Sequence, residues 1–403
     1  MNFLTKNANI ILAIFILIGT SLQFFSSAPL IAAAPQKLII SVPFADLRAD
    51  PTGMPPNLQG PAFSQDVVAQ ISQILFGEKL IVNNNEAASN TTPLVNWIPC
   101  LAVEQEVITT GTQELLPSEK KWQGCPGYVQ QDQVMLVQDF PHYNVVLQDL
   151  WTSVYAEKNI ATSPRFSLAC GTMLTAHKEA DGWWHVYLAD KEVGFIPASA
   201  TVYELSPVVK ESAEDLRVAI IALAKKFVGT PYVWGGRTPL SPTTIKALSY
   251  LTGIDCSDFM NLVFKAIGLQ IPKNSTSQFY GLPKIIKHGK DLLPGDLIFF
   301  TRKNDITAMC HVMMYLGKDA QGKGLIIEST GRGISSIQEA ISNGINPKDI
   351  GVRIIKLIDY LGVDVDQLEA GKTKYEKRDY FVLMGSYLNS QEVIQGLRTK
   401  LLE

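Results

Sequence analysis

The segment TGIDCSDFM, residues 252–260, carries the strongest local signal for both fold and chemistry. Asp255 is a favourable helix N-cap, which predicts that Cys256 lies in the first turn of a helix. The free amides and the dipole of a helix N-terminus stabilise a thiolate, the nucleophilic form of cysteine. The same amides suit the oxyanion of a tetrahedral intermediate. The stretch therefore favours a nucleophilic Cys256, although a buried structural cysteine is the commoner alternative.

A cysteine nucleophile needs a general base, and two histidines follow Cys256 in the chain. His311 precedes the apolar run 312–316, so it is expected at the start of a buried strand, which is a rigid mount. His288 lies in a basic turn and is the weaker candidate. A cysteine and a distant histidine alone do not establish catalysis, so the surrounding sequence has to decide.

Four blocks of sequence supply that context: GTPYVWGG at 229–236, DCS at 255–257, LPGDLIFF at 293–300 and HVMMYLG at 311–317. In this order, within residues 212–388, they resemble the NlpC-type cell-wall cysteine peptidases. The resemblance implies a papain-like α+β core with Cys256 as nucleophile and His311 as base. It also implies a polar residue on the next strand that orients the base, and Glu328 stands at that place. The alternative for Glu328 is a surface salt bridge.

Three features depart from the pattern of that family. Asp258 stands where glycine is usual, and Met313 stands where a small residue is usual. The segment 237–253 is longer than usual, and we expect it to wall the cleft or restrict the substrate. The departures at Asp258 and Met313, together with Glu328 in place of the more usual histidine, keep a second hypothesis open, in which the chain is a non-catalytic cell-wall peptide-binding protein with a degenerate peptidase domain.

The N-terminal segment 1–34 has the layout of a secretory signal peptide. It carries one charge, Lys6, followed by the apolar run 10–18 and then by small residues. We therefore expect an exported protein, periplasmic or extracellular. An uncleaved signal anchor is the alternative, because the apolar run extended to residue 25 approaches membrane-spanning length.

Between the signal and the catalytic region, short predicted strands alternate with turns, a pattern typical of small β-barrels. Residues 36–140 and 141–208 each resemble bacterial SH3-like domains, and a peptidase domain is expected at 212–390. The predicted fold is two small SH3-like β-barrels followed by a papain-like α+β cysteine peptidase domain. This order is similar to the γ-D-glutamyl-L-diamino acid endopeptidases, which cut murein stem peptides after D-Glu and prefer a free N-terminal L-Ala.

The same resemblance implies residues that bind substrate. The stretch FGE at 76–78 matches the one whose acidic residue binds the substrate amine, so Glu78 is the candidate anchor. An exposed carboxylate at a strand entry is the alternative for Glu78. Further candidates for holding the substrate are Asp255, Ser257 and Ser275. Cys125 stands where that group has a tyrosine, which puts a strict L-Ala preference in doubt.

Composition excludes several other classes of protein. The 403 residues include 35 basic and 38 acidic ones, a net charge of −3 that offers no cationic surface to nucleic acid. The five cysteines include no CxxC pair, and neither His142 nor His177 has a partner at ligand spacing, so no metal and no cofactor is expected. A disulfide between Cys100 and Cys125 stays open.

The leading hypothesis is therefore a cysteine endopeptidase that hydrolyses the γ-D-Glu–diamino acid bond of murein stem peptides. Thiolate attack, an acyl-enzyme and deacylation by water would carry the reaction. The expected partners are peptides of the L-Ala-γ-D-Glu-diamino acid type, with no nucleic acid or metal. The membrane is expected as a partner only if the N-terminal signal stays uncleaved.

Overall fold

The computed structural model describes residues 35–51, 70–83, 96–108, 121–189, 192–240, 252–302, 305–331, 344, 351–371 and 380–403. The predicted signal peptide and most of the predicted insertion, residues 241–251, lie outside these ranges. Within them, no helix combines the length and the apolar character that crossing a bilayer requires.

The first β-rich region forms an antiparallel sheet with the strand order β3-β2-β6-β5-β4-β1-β7. Its strands are β1 (Lys37–Ile40), β2 (Phe44–Arg48), β3 (Gln70–Leu75), β4 (Lys79–Val82), β5 (Trp97–Ile108), β6 (Trp122–Gln130) and β7 (Val134–Val137). Residues that alternate along these strands, such as Leu38 and Leu80, meet in an apolar core. The sheet holds together because each strand buries one face against that core.

Cys100 and Cys125 lie in this core and are not joined to each other, so the disulfide that the sequence left open does not form. The two residues are on neighbouring strands, but the register separates them. Cys100 on β5 is opposite Gly127 of β6, whereas Cys125 is opposite Ala102. Strand pairing, which the sequence does not reveal, decides this point.

The second β-rich region forms a sheet in the order β13-β12-β11-β8-β14 and a smaller pair, β10-β9. Its strands are β8 (Val145–Leu147), β9 (Trp151–Val154), β10 (Phe166–Ala169), β11 (Met173–Lys178), β12 (Trp184–Tyr187), β13 (Val193–Ile196) and β14 (Val202–Glu204). Val145, Leu174 and Val186 belong to its buried core. The period of two in the side chains therefore leaves Thr175 and His177 of β11 and His185 and Tyr187 of β12 on the outer face.

The C-terminal region is built on an antiparallel sheet in the order β17-β22-β18-β19-β20-β21. These strands are β17 (Lys284–Ile286), β18 (Leu297–Arg302), β19 (Asp305–Lys318), β20 (Gly324–Thr330), β21 (Gly351–Lys356) and β22 (Tyr380–Ser386), and a short separate pair is formed by β15 (Arg237–Thr238) and β16 (Gly253–Ile254). The chain thus changes from short strands to mixed helices and sheet, as the sequence predicts.

The described helices of this region are α1 (Ala213–Lys226), α2 (Cys256–Ala266), α3 (Ser275–Tyr280), α4 (Leu357–Leu361) and α5 (Gln391–Leu402). Helix α1 begins at a capping box, in which Ser212 and Asp215 satisfy each other's backbone amides. Helix α2 is the central one, because every residue from 257 to 266 is buried. A helix that is buried all round must be covered on several sides.

The second β-rich region supplies part of that cover. Gly171 has a φ of +82°, and a Cβ atom at this position would overlap the side chain of Leu262 on α2. Leu75 and Cys170 from the β-rich regions share one apolar core with Leu262 and with Val312 of β19. The helix that starts at Cys256 is therefore held by packing from all three regions.

Candidate active site

The N-terminus of α2 is built around Asp255, which is its N-cap as predicted. One oxygen of the Asp255 carboxylate accepts the backbone N–H of Asp258 at 2.7 Å, and Ser257 Oγ donates to the same oxygen at 3.0 Å. The other oxygen accepts the N–H of Gly235 at 3.1 Å. Asp255 therefore ties the Gly-rich loop 229–236 to the helix turn that carries Cys256.

Cys256 and His311, predicted from the sequence as nucleophile and base, are brought together across the helix–sheet interface. The His311 side chain interacts with Cys256, and it lies on β19, in a ring contact with Phe300 of the adjacent strand. Burial by itself lowers the pKa of His311, but Cys256 and the Glu328 carboxylate raise it well above its ordinary value. This arrangement favours a protonated His311 imidazole beside the Cys256 sulfur.

Glu328 lies on β20, where the sequence predicts the residue that orients the base. His311 Nε2 and Glu328 Oε2 are 2.6 Å apart, and the Glu328 side chain is 0% exposed. The alternative of a surface salt bridge for Glu328 is therefore wrong. A buried carboxylate against the imidazole Nε2 leaves Nδ1 for the thiol and stabilises the charged ring.

Arg353 completes this array, and it was not predicted from the sequence. Glu328 faces Arg353 across the β20–β21 pairing, and its Oε1 accepts hydrogen bonds from Arg353 Nε at 3.0 Å and Nη2 at 2.7 Å. Burial raises the pKa of Glu328, but His311 and Arg353 lower it below its usual range. The guanidinium therefore keeps Glu328 ionised and aimed at His311.

Helix α3 connects the two halves of the site. Ser275 Oγ donates to the carbonyl of Met309, two residues before His311, at 2.9 Å. Gln278 Nε2 donates to the carbonyl of Ser257 at 2.8 Å. Ser257 and Ser275 are thus placed near the nucleophile and the base respectively, and both side chains serve bonds within the protein. Their predicted role in holding substrate stays a prediction.

Glu78 lies between the first sheet and helix α2, and it is only 3% exposed. Its Oε1 accepts from Arg237 Nη1 at 2.7 Å and forms a further ion pair with Lys265. Its Oε2 accepts from the N–H of Leu75 at 3.1 Å and from Gln105 Nε2 at 3.2 Å. The alternative of an exposed carboxylate is wrong, while the predicted role as amine anchor stays a prediction.

The charges around Glu78 explain why it can be ionised inside the protein. Burial raises the pKa of Glu78, but Arg237 and Lys265 together bring it down to about 2. Lys265 also binds Glu104, with Nζ and Oε2 at 2.7 Å. Arg237 reaches Asn261 of α2 through Nη2 at 2.9 Å. A buried ionic network therefore connects the first β-rich region with the nucleophile helix.

Asp258, one of the departures from the family pattern, lies beside two cations that offset part of the cost of burying its charge. Its carboxylate is fully buried, 3.5 Å from Lys273 Nζ and 3.9 Å from Arg237 Nε. Burial and the nearby Asp255 raise the pKa of Asp258 to about 7, although both cations lower it. Asp258 thus points into the ionic network of the protein interior, and it removes no group of the Cys256–His311–Glu328 array.

The prediction that His177 has no partner at ligand spacing is wrong. The structure brings His177 together with Glu179 and His185, so that one ligand atom from each lies within 4.8 Å of the others. His177 and His185 are eight residues apart in the chain but directly opposite each other on β11 and β12. Because β11 and β12 pair in this register, the two imidazoles come within the distance that metal ligands require, which the sequence pattern did not indicate.

The fold and this site define a peptidase domain of the NlpC type. Residues 229–353 match the NlpC/P60 family, which identifies this part of the chain as an NlpC-type domain. A crystal structure of an NlpC/P60 family protein from Bacillus cereus aligns with 87% of this chain and 99% of that chain, with a TM-score of 0.57 and 21% identity. That likeness shows a shared fold.

Relatives of known name fall in the same family. The chain is 27% identical over 271 residues to a γ-D-glutamyl-L-lysine dipeptidyl-peptidase of Bacillus subtilis, an alignment that covers 65% of this chain and 74% of the relative. It is 28% identical over 148 residues to a γ-DL-glutamyl hydrolase of the same species, covering 36% and 29% respectively. A probable endopeptidase p60 of Listeria grayi is 36% identical over 115 residues, covering 28% and 19%. The chain thus spans less than a third of the latter two relatives.

Proposed function

We propose that this protein is a cysteine endopeptidase that hydrolyses the γ-D-Glu–diamino acid bond of murein stem peptides. The observation that carries the proposal is the array at the start of a buried helix in which His311 interacts with Cys256 and is hydrogen-bonded to the buried carboxylate of Glu328. The B. subtilis relative named as a γ-D-glutamyl-L-lysine dipeptidyl-peptidase supports the choice of bond. The expected location is outside the cytoplasm, where such peptides are reached.

In the proposed reaction, the Cys256 thiolate attacks the γ-carbonyl carbon of D-Glu, and the carbonyl oxygen takes the negative charge. Amides in the first turn of α2 are available to stabilise that oxyanion. His311 gives its proton to the leaving amine of the diamino acid, and the acyl-enzyme remains. A water molecule that loses a proton to His311 then releases the peptide and restores the thiol.

The domain organisation belongs to the same proposal. We propose SH3-like domains at 36–140 and 141–208, a peptidase domain at 212–390, and a signal peptide at 1–34. Two successive β-rich regions with short antiparallel strands support the first part. Contacts of Glu78 and Gly171 with α2 support a role of both modules in shaping the catalytic domain.

A preference for a free N-terminal L-Ala is the finer part of the proposal, with Glu78 as the anchor for the substrate amine. Both Glu78 oxygens accept bonds from the protein, so an amine would compete with Arg237 or Lys265 for the carboxylate. Asp255, Ser257 and Ser275, close to the reacting groups, are proposed to hold the peptide backbone. We therefore expect the preference for a free N-terminal L-Ala to be weaker than it would be if the Glu78 carboxylate had no partners within the protein.

The proposal is tested with L-Ala-γ-D-Glu-diaminopimelate and with its N-acetylated form, by following release of the dipeptide. We expect cleavage by the wild type and none by Cys256→Ala. The matched control is Cys310→Ser, which alters an exposed thiol and leaves the nucleophile in place. Absence of cleavage by the wild type, or equal cleavage by Cys256→Ala, would overturn the proposal that the protein is a cysteine endopeptidase. Equal cleavage of the two peptides would remove Glu78 as amine anchor.

The second hypothesis, a non-catalytic peptide-binding protein, rests on the carboxylate of Asp258 inside the nucleophile helix. It predicts saturable binding of the same peptide without turnover. Calorimetric binding to the wild type that yields no product after prolonged incubation would favour it. The compensation of Asp258 by Lys273 and Arg237 argues for the enzyme instead.

A further inference from the structure

The outer face of the second β-rich region carries a group of three side chains that the proposed reaction does not use. His177 on β11 and His185 on β12 are a directly opposed cross-strand pair, and their ring centroids are 4.6 Å apart. Glu179 follows His177 by two residues, in the turn that leads towards β12. His177 is exposed, and the other two are half-buried, so solvent reaches the group.

The distances within this group suit a metal ion better than they suit hydrogen bonds. His185 Nδ1 and Glu179 Oε1 are 3.5 Å apart, which is long for a hydrogen bond. Ligands of a tetrahedral zinc ion at about 2.1 Å from the metal lie about 3.4 Å from one another. All three side chains offer a ligand atom within 4.8 Å of the others, so small rotations of exposed side chains bring them into range.

Neighbouring residues hold the group in place. Lys158 Nζ forms an ion pair with Glu179 Oε2 and another with Asp181 at 2.8 Å, which leaves Glu179 Oε1 turned towards His185. The buried His185 Nε2 has no hydrogen-bond partner in the part of the chain that the structure describes. The ammonium of Lys158 opposes a cation nearby, which argues for moderate affinity.

We propose that His177, Glu179 and His185 form a binding site for a divalent transition metal of the Zn²⁺ type. Two imidazoles and one carboxylate suit borderline metals such as Zn²⁺, whereas Mg²⁺ and Ca²⁺ prefer sites built from oxygen ligands. Water completes the coordination, because His177 faces solvent. A bound ion would cross-link β11, β12 and the turn between them, and so would stabilise the second β-rich region.

The test is a calorimetric titration of the full chain with ZnCl₂, with MgCl₂ as the hard-cation comparison. The protein carries Cys256→Ser and Cys310→Ser, so that the two thiols with solvent access do not bind zinc. His177→Gln and His185→Gln each remove one ligand, and His142→Gln is the matched control, because His142 is an exposed histidine of the same region outside the group. Circular dichroism of metal-free protein verifies that each variant is folded.

We expect Zn²⁺ binding that is weakened about tenfold or more in each ligand variant and unchanged in the control. Because bound metal stabilises only the folded state, Zn²⁺ should also raise the melting temperature of the parent but not of His177→Gln. Mg²⁺ should do neither. Absent Zn²⁺ binding, or equal binding by the parent and His177→Gln, would overturn the proposal. Neither outcome bears on peptide cleavage, so this site and the proposed function are tested separately.

Discussion

Replacing Glu328 by glutamine tests how the active-site histidine is controlled. The change keeps the side-chain shape but removes the charge that faces His311 Nε2 at 2.6 Å. A hydrogen bond to a charged group contributes about 1.5–3 kcal/mol, and 1.36 kcal/mol corresponds to one pH unit, so the His311 pKa should fall by about one to two units. The pKa is raised in the native protein, so the loss moves it downwards.

Two measurements would detect this fall in the pKa of His311. The thiolate–imidazolium pair is lost when His311 deprotonates, so the alkaline limb of the kcat/KM profile should move to lower pH by about one to two units. The pH titration of the His311 imidazole followed by NMR, which needs no substrate, should show the same displacement. The control is Glu157→Gln, which removes an equal charge at an exposed position of the second β-rich region.

The contribution of Arg353 can be separated with a double variant. In Glu328→Gln the guanidinium of Arg353 has lost the carboxylate that it binds through Nε and Nη2, and its positive charge further disfavours the imidazolium. Glu328→Gln combined with Arg353→Met should therefore recover part of the alkaline limb. An alkaline limb in Glu328→Gln that coincides with the wild type would refute the reasoning, as would a double variant displaced further than the single one.

Three further predictions concern stability, each measured by urea unfolding. Asp255→Ala should lower the free energy of unfolding by about 0.5–2 kcal/mol through loss of the N-cap, and Asp255→Asn, which can still cap, should cost less. Glu78→Ala should cost about 3–5 kcal/mol, because two buried cations lose their partner. Since the folded pKa of Glu78 is about 2 against 4.5, its contribution is present above pH 4.5 and should be lost as pH falls towards 2, a dependence that Glu78→Gln removes. The pKa of Asp258 is about 7 in the folded protein, against 3.8 for an ordinary aspartate. The free energy of unfolding of the wild type should therefore decline as pH rises from 3.8 to about 7, and Asp258→Asn should flatten this decline. Equal pH profiles for wild type and variant would contradict the last two.

Local chemistry in the sequence was enough to predict the helix that begins at Cys256. Asp255 before an apolar helical run predicts an N-cap, and the helix begins at Cys256 as expected. The apolar strand after His311 likewise follows from residue type and length. These features depend on neighbours in the chain, so a single sequence contains them.

Contacts between distant segments were not available from the sequence. Arg353 meets Glu328 only because β20 and β21 pair in one register, and a shift by one residue would turn either side chain to the other face. Glu78 was predicted as a substrate-binding carboxylate. Its cationic partners Arg237 and Lys265 lie 159 and 187 positions further along the chain, so no local pattern indicated them. Such partners are chosen by packing.

Patterns among neighbouring residues were enough to predict the helix that starts at Cys256 and the strand that follows His311, and the family resemblance added the class of fold and Glu328. Contacts in three dimensions set which charges are paired, keep Cys100 and Cys125 from joining in a disulfide, and bring His177 and His185 together. The difference lies in range. Capping and periodicity act within one or two turns of the chain, whereas strand register and burial bring together residues that no local pattern connects.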